Sequence, residues 1–188
     1  MIQSGIMLFL SFLAVHVTVT SARPSEPEGK THRVRGLQNR ASKNNEMIAM
    51  QNTINSLFDH HQLIEREYNT TSNGIEAYTH SNDPQVAKWI QTHVHQMKEL
   101  LEGNGSIRQW DDLFEIAFDL RDLHEMSVDN TVDGVRVVQH VTTGVEGQKK
   151  VCSNAIIQAH AAVLSKFVEI GQKEAKVNHD VPDECMSI

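Results

Sequence analysis

From Glu46 onward, apolar residues recur at helical spacing. Met47, Met50, Ile54, Leu57, His61 and Ile64 follow one another at steps of three and four, the period of an amphipathic helix. Tyr68 to Thr71 and Ile75 to Thr79 flank Asn73-Gly74. Asn-Gly permits positive φ at both turn positions, so a hairpin is expected there. Asp83-Pro84 then reads as an N-cap with proline at the first helical position. The helix it opens carries Val86, Ile90, His93, Met97 and Leu101 on one face, and Gly103-Asn104-Gly105 ends it. The same order returns. Asp112 opens a helix bearing Leu113, Phe114, Ile116, Ala117, Phe118 and Leu120. Val128 and Val135 to Val138 flank Asp133-Gly134, and Ala155 to Ile170 form a last helix with Ile157, His160, Ala161, Leu164 and Val168 on one side.

The return extends to individual residues. A shift of 60 aligns Phe58 with Phe118, Asp59 with Asp119, Leu63 with Leu123, Glu65 with Glu125, Gly74 with Gly134 and His80 with His140. The shift then becomes 67, aligning Ile90-Gln91 with Ile157-Gln158 and His93 with His160, after a seven-residue insertion around Gly144 to Lys150. The expected unit is helix, hairpin, helix, present as copies 52–103 and 112–170. A lone hairpin is marginal in water, so two hairpins would merge into one four-stranded antiparallel sheet packed with helices. The expected fold is a single α+β domain over 46–176 with pseudo-twofold symmetry. A helical bundle with separately projecting hairpins is the runner-up.

The ends differ from this body. Residues 1–22 carry no Asp, Glu, Lys or Arg, Ile6 to Val15 is almost wholly apolar, and the segment closes on Thr20-Ser21-Ala22. Small residues before the break predict a signal peptide cleaved after Ala22, too short in its apolar part to span a bilayer. Residues 23–45 are polar, with two prolines, and read as a disordered leader. Residues 177–188 read as a tail.

Secretion gives meaning to other residues. Asn69-Thr70-Thr71 and Asn104-Gly105-Ser106 become acceptor sequences for glycans, both placed in expected turns. Cys152 and Cys185 are the two cysteines of the chain, and an oxidising compartment would pair them. They flank the last helix, so an intrachain bond needs that helix to stop near Gly171 and the tail to fold back along it. The chain has 17 Lys plus Arg against 24 Asp plus Glu, a net charge of −7. That balance offers no basic patch for phosphates and argues against nucleic acid as a partner.

The segments "LFDHHQLIEREYNTTSNGIEAYTHSNDPQVAKWIQTHV" and "WDDLFEIAFDLRDLHEM…DGVRVV…IIQAHAAVLSKFVEIGQKEA" resemble a family of small exported bacterial proteins. Members repeat a helix, a Gly-Val-type hairpin, an Asp-Pro helix start and an Ile-Gln-x-His helix. The resemblance covers about residues 52–182 and implies fold and export. The family has no established activity, so no catalytic role is implied. The insertion, the two cysteines and the leader depart from its pattern.

No Gly-x-Ser-x-Gly elbow, His-Glu-x-x-His helix, Gly-x-Gly-x-x-Gly turn or Gly-Lys-Thr loop occurs. Histidine is the unusual residue, at eleven. His93 and His160 occupy matched places on the apolar sides of two helices, and Glu65 and Glu125 are matched as well. Two His and two Glu about a twofold axis form a candidate metal centre, for zinc or a divalent pair. The simpler account is a pair of core histidines, each with one hydrogen bond, and the wide spacing of the four residues favours it. His60-His61 read as solvated, Asp111-Asp112 as acidic residues that could touch calcium weakly without forming a dedicated site, and Trp89 and Trp110 as helix-packing anchors.

The expected function is that of a secreted, non-catalytic structural or binding protein. Its expected partners are components of an extracellular matrix, a mineralised, shell-type one being compatible with the acidity. Neither nucleic acid nor, after signal cleavage, a membrane is expected as a partner. An exported metal- or haem-binding protein centred on His93 and His160 is the alternative, and an enzyme with an unrecognised site is the third class.

Overall fold

The computed structural model describes residues 31–186, with side chains from residue 44. The expected signal peptide, residues 23–30 of the leader and the last two residues of the tail lie outside the described residues. The order of elements is α1 (Thr31–Asp59), β1 (Glu65–Thr71), β2 (Gly74–His80), α2 (Pro84–Glu102), α3 (Asp112–Asp119), β3 (His124–Asn130), β4 (Gly134–Val141) and α4 (Gly147–Ile170). The fold is α+β, with one four-stranded antiparallel sheet in the order β1-β2-β4-β3.

Local chemistry sets the helix ends. Asp83 accepts from the backbone N–H groups of Gln85 (2.8 Å) and Val86 (3.0 Å), and Pro84 follows at the first helical position. Gly171 stops α4 in a left-handed conformation (φ 68°), and a Cβ there would come within 2.5 Å of the His61 ring. The helix thus ends one residue before Gly171, where the disulfide geometry needs it to end. α1 starts at Thr31, so residues 31–45 continue a helix where composition suggested a disordered leader. That stretch holds Arg, Gln, Lys and Ala and no proline, so a helix anchored at its packed C-terminal end can propagate through it.

The hairpins form where the sequence places them, for a different reason. Neither Asn73-Gly74 nor Asp133-Gly134 adopts a positive φ, so the primed-turn expectation fails. Gly74 and Gly134 are instead the first residues of β2 and β4, in the seam between the hairpins. A Cβ on Gly74 would meet the Gln139 carbonyl oxygen at 2.0 Å, and one on Gly134 the Thr79 carbonyl oxygen at 2.1 Å. In that seam Gly74 faces His140, Ala77 faces Val137 and His80 faces Gly134. Within the hairpins, Glu65 faces His80 and Glu125 faces His140. The seam is closed at its ends by Ser81 N–H donating to Asp133 O and Val141 N–H donating to Asn73 O, each 2.9 Å.

Side chains alternate across the sheet. On the inner face, Val86 and Ile90 of α2 pack on Val135, with Val128 and Val137 beside them. Ile157 and Ala161 of α4 pack on Ile75, Ala77 and Val141, with Tyr68 beside them. Gln91 of α2 donates to Thr131 O (2.8 Å) and Gly134 O (3.2 Å), while Gln158 of α4 donates to Thr71 O (3.1 Å) and Gly74 O (3.4 Å). Each helix is therefore latched to a hairpin turn. α3 lies outside α4, where Leu113 and Phe114 close a third cluster with Cys152, Ile156, Val163 and Cys185. α4 with the turn that follows it is apolar and long enough to cross a membrane on length and composition alone. Its apolar faces pack on the sheet and on α3.

Among the described residues, no helix covers the outer face of the sheet. Glu65, Glu67, Asn69 and Thr71 of β1, Glu76 of β2, Arg136 and Val138 of β4, and Glu125, Ser127 and Asp129 of β3 are all exposed there.

Gly74→Ala and Gly134→Ala are expected to destabilise the fold alike, at or above the upper end of the ~1–3 kcal/mol typical of overpacking, because the obstacle is a carbonyl of the partner strand. Urea unfolding of the two variants measures this.

Candidate functional site

The most developed polar cluster lies where the C-terminal segment meets α3 and α4. Asp111 is 0% exposed. It accepts from Arg108 Nη2 at 2.6 Å and pairs with His179 Nδ1 at 2.7 Å. His179 Nε2 lies 3.1 Å from Glu174 Oε1, and Lys166 Nζ lies 3.9 Å from the same carboxylate. Arg108 also donates to Ala175 O (2.7 Å) and Val177 O (3.2 Å). Its guanidinium carbon sits 4.5 to 5.1 Å from the ring centres of Trp110, Phe114 and Phe167. Burial alone would raise the Asp111 carboxyl, but the hydrogen bonds and charges of Arg108 and His179 outweigh it and hold the group below the ordinary carboxylate range. Asp111, Glu174 and His179 are buried and engaged with one another, which suits a clasp better than a reaction centre.

The clasp corrects the reading of 177–186 as a tail. Leu113 N–H donates to His179 O (3.1 Å), Asp112 N–H donates to Asn178 Oδ1 (2.8 Å), and Cys185 is bonded to Cys152 with Cα atoms 4.8 Å apart. The disulfide is intrachain and the segment folds back along α4, as the helix length required. It is consistent with an oxidising compartment.

The four residues of the candidate metal centre occupy different surroundings. Glu65 and Glu125 are exposed on the outer sheet face (66% and 53% of the side chain), where they lie 4.0 Å from His80 and 3.3 Å from His140. His93 and His160 lie on α2 and α4, half-buried, and burial pushes both imidazoles down to about 4. His93 Nδ1 is enclosed without a partner, and His160 packs edge-on against Phe114 with ring centres 5.0 Å apart. Among the described residues, no three His, Cys, Asp or Glu side chains gather where an ion could bind.

Other candidates are placed as follows. Asn69 lies on the exposed edge strand β1 and not in a turn, because the turn residues are Ser72 and Asn73. Asn104 is exposed in the loop after α2, with φ 56°. Trp89 packs in the α2 cluster. Trp110 is 44% exposed and serves as a face for Arg108. His60 is exposed, but His61 is half-buried and its Nδ1 donates to Val168 O at 2.7 Å, tying the end of α1 to α4. The sequence reading took Asp111 as at most a weak calcium contact and missed Arg108, Glu174 and His179, since partners 68 residues apart leave no local pattern.

Two further groups stand out on the inner sheet face. Arg66 and His124 belong to the edge strands, and both Arg66 Nε and His124 Nε2 are enclosed with no partner. Burial lowers Arg66 to about 10 and His124 to about 4.

Asp111→Ala is expected to cost about 3–5 kcal/mol, since it strands the Arg108 charge. Removing both cysteines should cost ~3–4 kcal/mol from the loop the bond closes. Denaturant unfolding checks both. Stability is also expected to fall as pH drops from about 6.5 to about 4. In that window the unfolded chain takes up protons on three histidines that the fold holds neutral, each worth up to ~1.4 kcal/mol per pH unit. His124→Ile should flatten the profile between pH 7 and pH 5, and an unchanged slope would count against the enclosed imidazole. Compared with protein families, curated proteins and solved structures, the chain finds no match, so function is argued from geometry alone.

Proposed function

We propose that this is a secreted, non-catalytic structural or binding protein of an extracellular matrix, and that its working surface is the outer face of the sheet. The observation that carries the reading is the exposed carboxylate array of Glu65, Glu67, Glu76, Glu125 and Asp129. A sheet fixes such groups on a grid of about 4.8 Å across strands and ~6.8 Å along them. Arg136 lies between Tyr78 and Asp129 in the strand register and stacks on the Tyr78 ring at 4.3 Å, and among the described residues the other carboxylates have no Lys or Arg partner. The grid suits repeated contact with a cation-bearing solid such as a calcium mineral. The buried disulfide and the exposed Asn69 and Asn104 support a secreted setting.

The array also suggests its origin. We infer that the two halves are copies of one unit related by pseudo-twofold symmetry about the Ala77–Val137 pair. In support, Glu65 opposite His80 and Glu125 opposite His140 keep one register 60 residues apart, and the Gln91 and Gln158 latches run in opposite senses. The copying doubles each half-surface into one continuous face.

Adsorption to calcium carbonate tests the reading. The variant with Glu65, Glu67, Glu76 and Glu125 changed to Gln and Asp129 changed to Asn should keep its fold and lose at least tenfold in adsorption. Changing Glu99, Glu115 and Glu169 on the helices to Gln should leave adsorption unaltered. Equal adsorption of the sheet variant and the natural protein would refute the assignment.

A further inference from the structure

The bonds at the two ends of the seam fix which way each strand turns its peptide groups. Ser81 N–H donates to Asp133 O and Val141 N–H donates to Asn73 O, so the odd-numbered residues along β2 bond across to β4. Alternation leaves the even-numbered residues, Gly74 to His80, to bond with β1. Their partners there are Thr71, Asn69, Glu67 and Glu65. Arg66, Tyr68 and Thr70 therefore turn their peptide N–H and C=O groups out of the sheet, because β1 is its edge. Among the described residues, no strand or turn bonds to those groups.

Such an edge is a template for another chain unless charge, proline or a covering element blunts it. The charges of β1 crowd at one end, in Glu65, Arg66 and Glu67, and Tyr68 to Asn73 carry none. β3, the opposite edge, spreads its acids as Glu125 and Asp129. Asn69 stands sixty residues before Asp129, where the second half has its charge. A second copy can add its own β1 antiparallel about Tyr68. That register keeps the faces matched and sets Glu65 against Thr71, Arg66 against Thr70 and Glu67 against Asn69, with no like charges opposed.

The bare stretch coincides with the acceptor sequence Asn69-Thr70-Thr71, whose three residues are all exposed. We propose that Asn69 carries an N-linked glycan that keeps β1 a free edge. A bulky, hydrated oligosaccharide on Asn69 occupies the space that an added strand needs. In the register about Tyr68 it would intrude twice, once from each copy. The proposal rests on the secreted setting proposed above and not on adsorption by the outer face.

The test uses the full chain secreted from animal cells, with glycopeptide mass spectrometry and sedimentation over a concentration series. Asn69 should be glycosylated and the protein should sediment as a single copy. Asn69→Gln and Thr71→Ala, which both abolish the acceptor, should self-associate at least tenfold more tightly than the natural protein, and Asn104→Gln should not. Asn69→Asp, equally without a glycan, should stay a single copy, since the register about Tyr68 then opposes an aspartate to Glu67 on both strands. A bare Asn69 beside a glycosylated Asn104 would overturn the proposal and leave secretion intact, whereas a chain bare at both would count against secretion as well. Unchanged association of Asn69→Gln, or equal association of Asn69→Asp, would also overturn it.

Discussion

Two hairpins of seven- or eight-residue strands are each marginal in water, and they become a sheet through the pairing of β2 with β4. That seam tolerates no side chain at either end, because Gly74 and Gly134 lie against the backbone of the opposing strand. The inner face that α2 and α4 cover exists once the seam has formed. The latches of Gln91 and Gln158 reach the turns beside the same two glycines, so helix placement and strand pairing are set at one locus.

Around that centre the polar groups divide into three populations. Those of the C-terminal clasp are largely buried and paired, with Arg108 held by carbonyls, a carboxylate and three aromatic faces and its Nε alone left without a partner among the described residues. Those of the outer face are exposed, and Tyr78 donates to Asp133 at 2.6 Å, holding that carboxyl below its ordinary range and the phenol above its own. Those borne by the edge strands on the inner face, Arg66 and His124, have enclosed nitrogens with no partner among the described residues. Unpaired groups weaken a fold, and Asn73, His80, His93, Gln96, Arg108 and Ser153 each carry an enclosed atom without a hydrogen-bond partner as well, so the shortfall is spread over the molecule.

Much of the framework was legible because its determinants are local. Helical periodicity, the Asp83 cap and the stops at Gly103 and Gly171 act within a few residues. Asn73-Gly74 and Asp133-Gly134 marked the hairpins correctly through a mechanism the structure does not use, since the need for glycine comes from a strand more than fifty residues away. The candidate site was less legible. Matched spacing identified Glu65, Glu125, His93 and His160 as special, but strand alternation puts the glutamates on the outer face. Sequence spacing does not say which side of a sheet a helix will cover. The clasp escaped notice because Asp111 and His179 lie 68 residues apart and share no local pattern.

The position of the clasp along the chain governs the order in which the molecule can be completed during synthesis. The strands, α2 and α3 emerge before the segment that holds His179 and Cys185. Until then Asp111 and Arg108 have no imidazole to complete their network, and Cys152 has no thiol partner within the chain. A nascent chain halted before residue 179 carries the sheet but leaves the α3–α4 interface open, with Phe114 and Phe167 missing the imidazole that packs against them. Oxidation of Cys152 with Cys185 therefore marks the end of assembly, and a chain truncated ahead of it presents an unfinished core to whatever retains incomplete proteins.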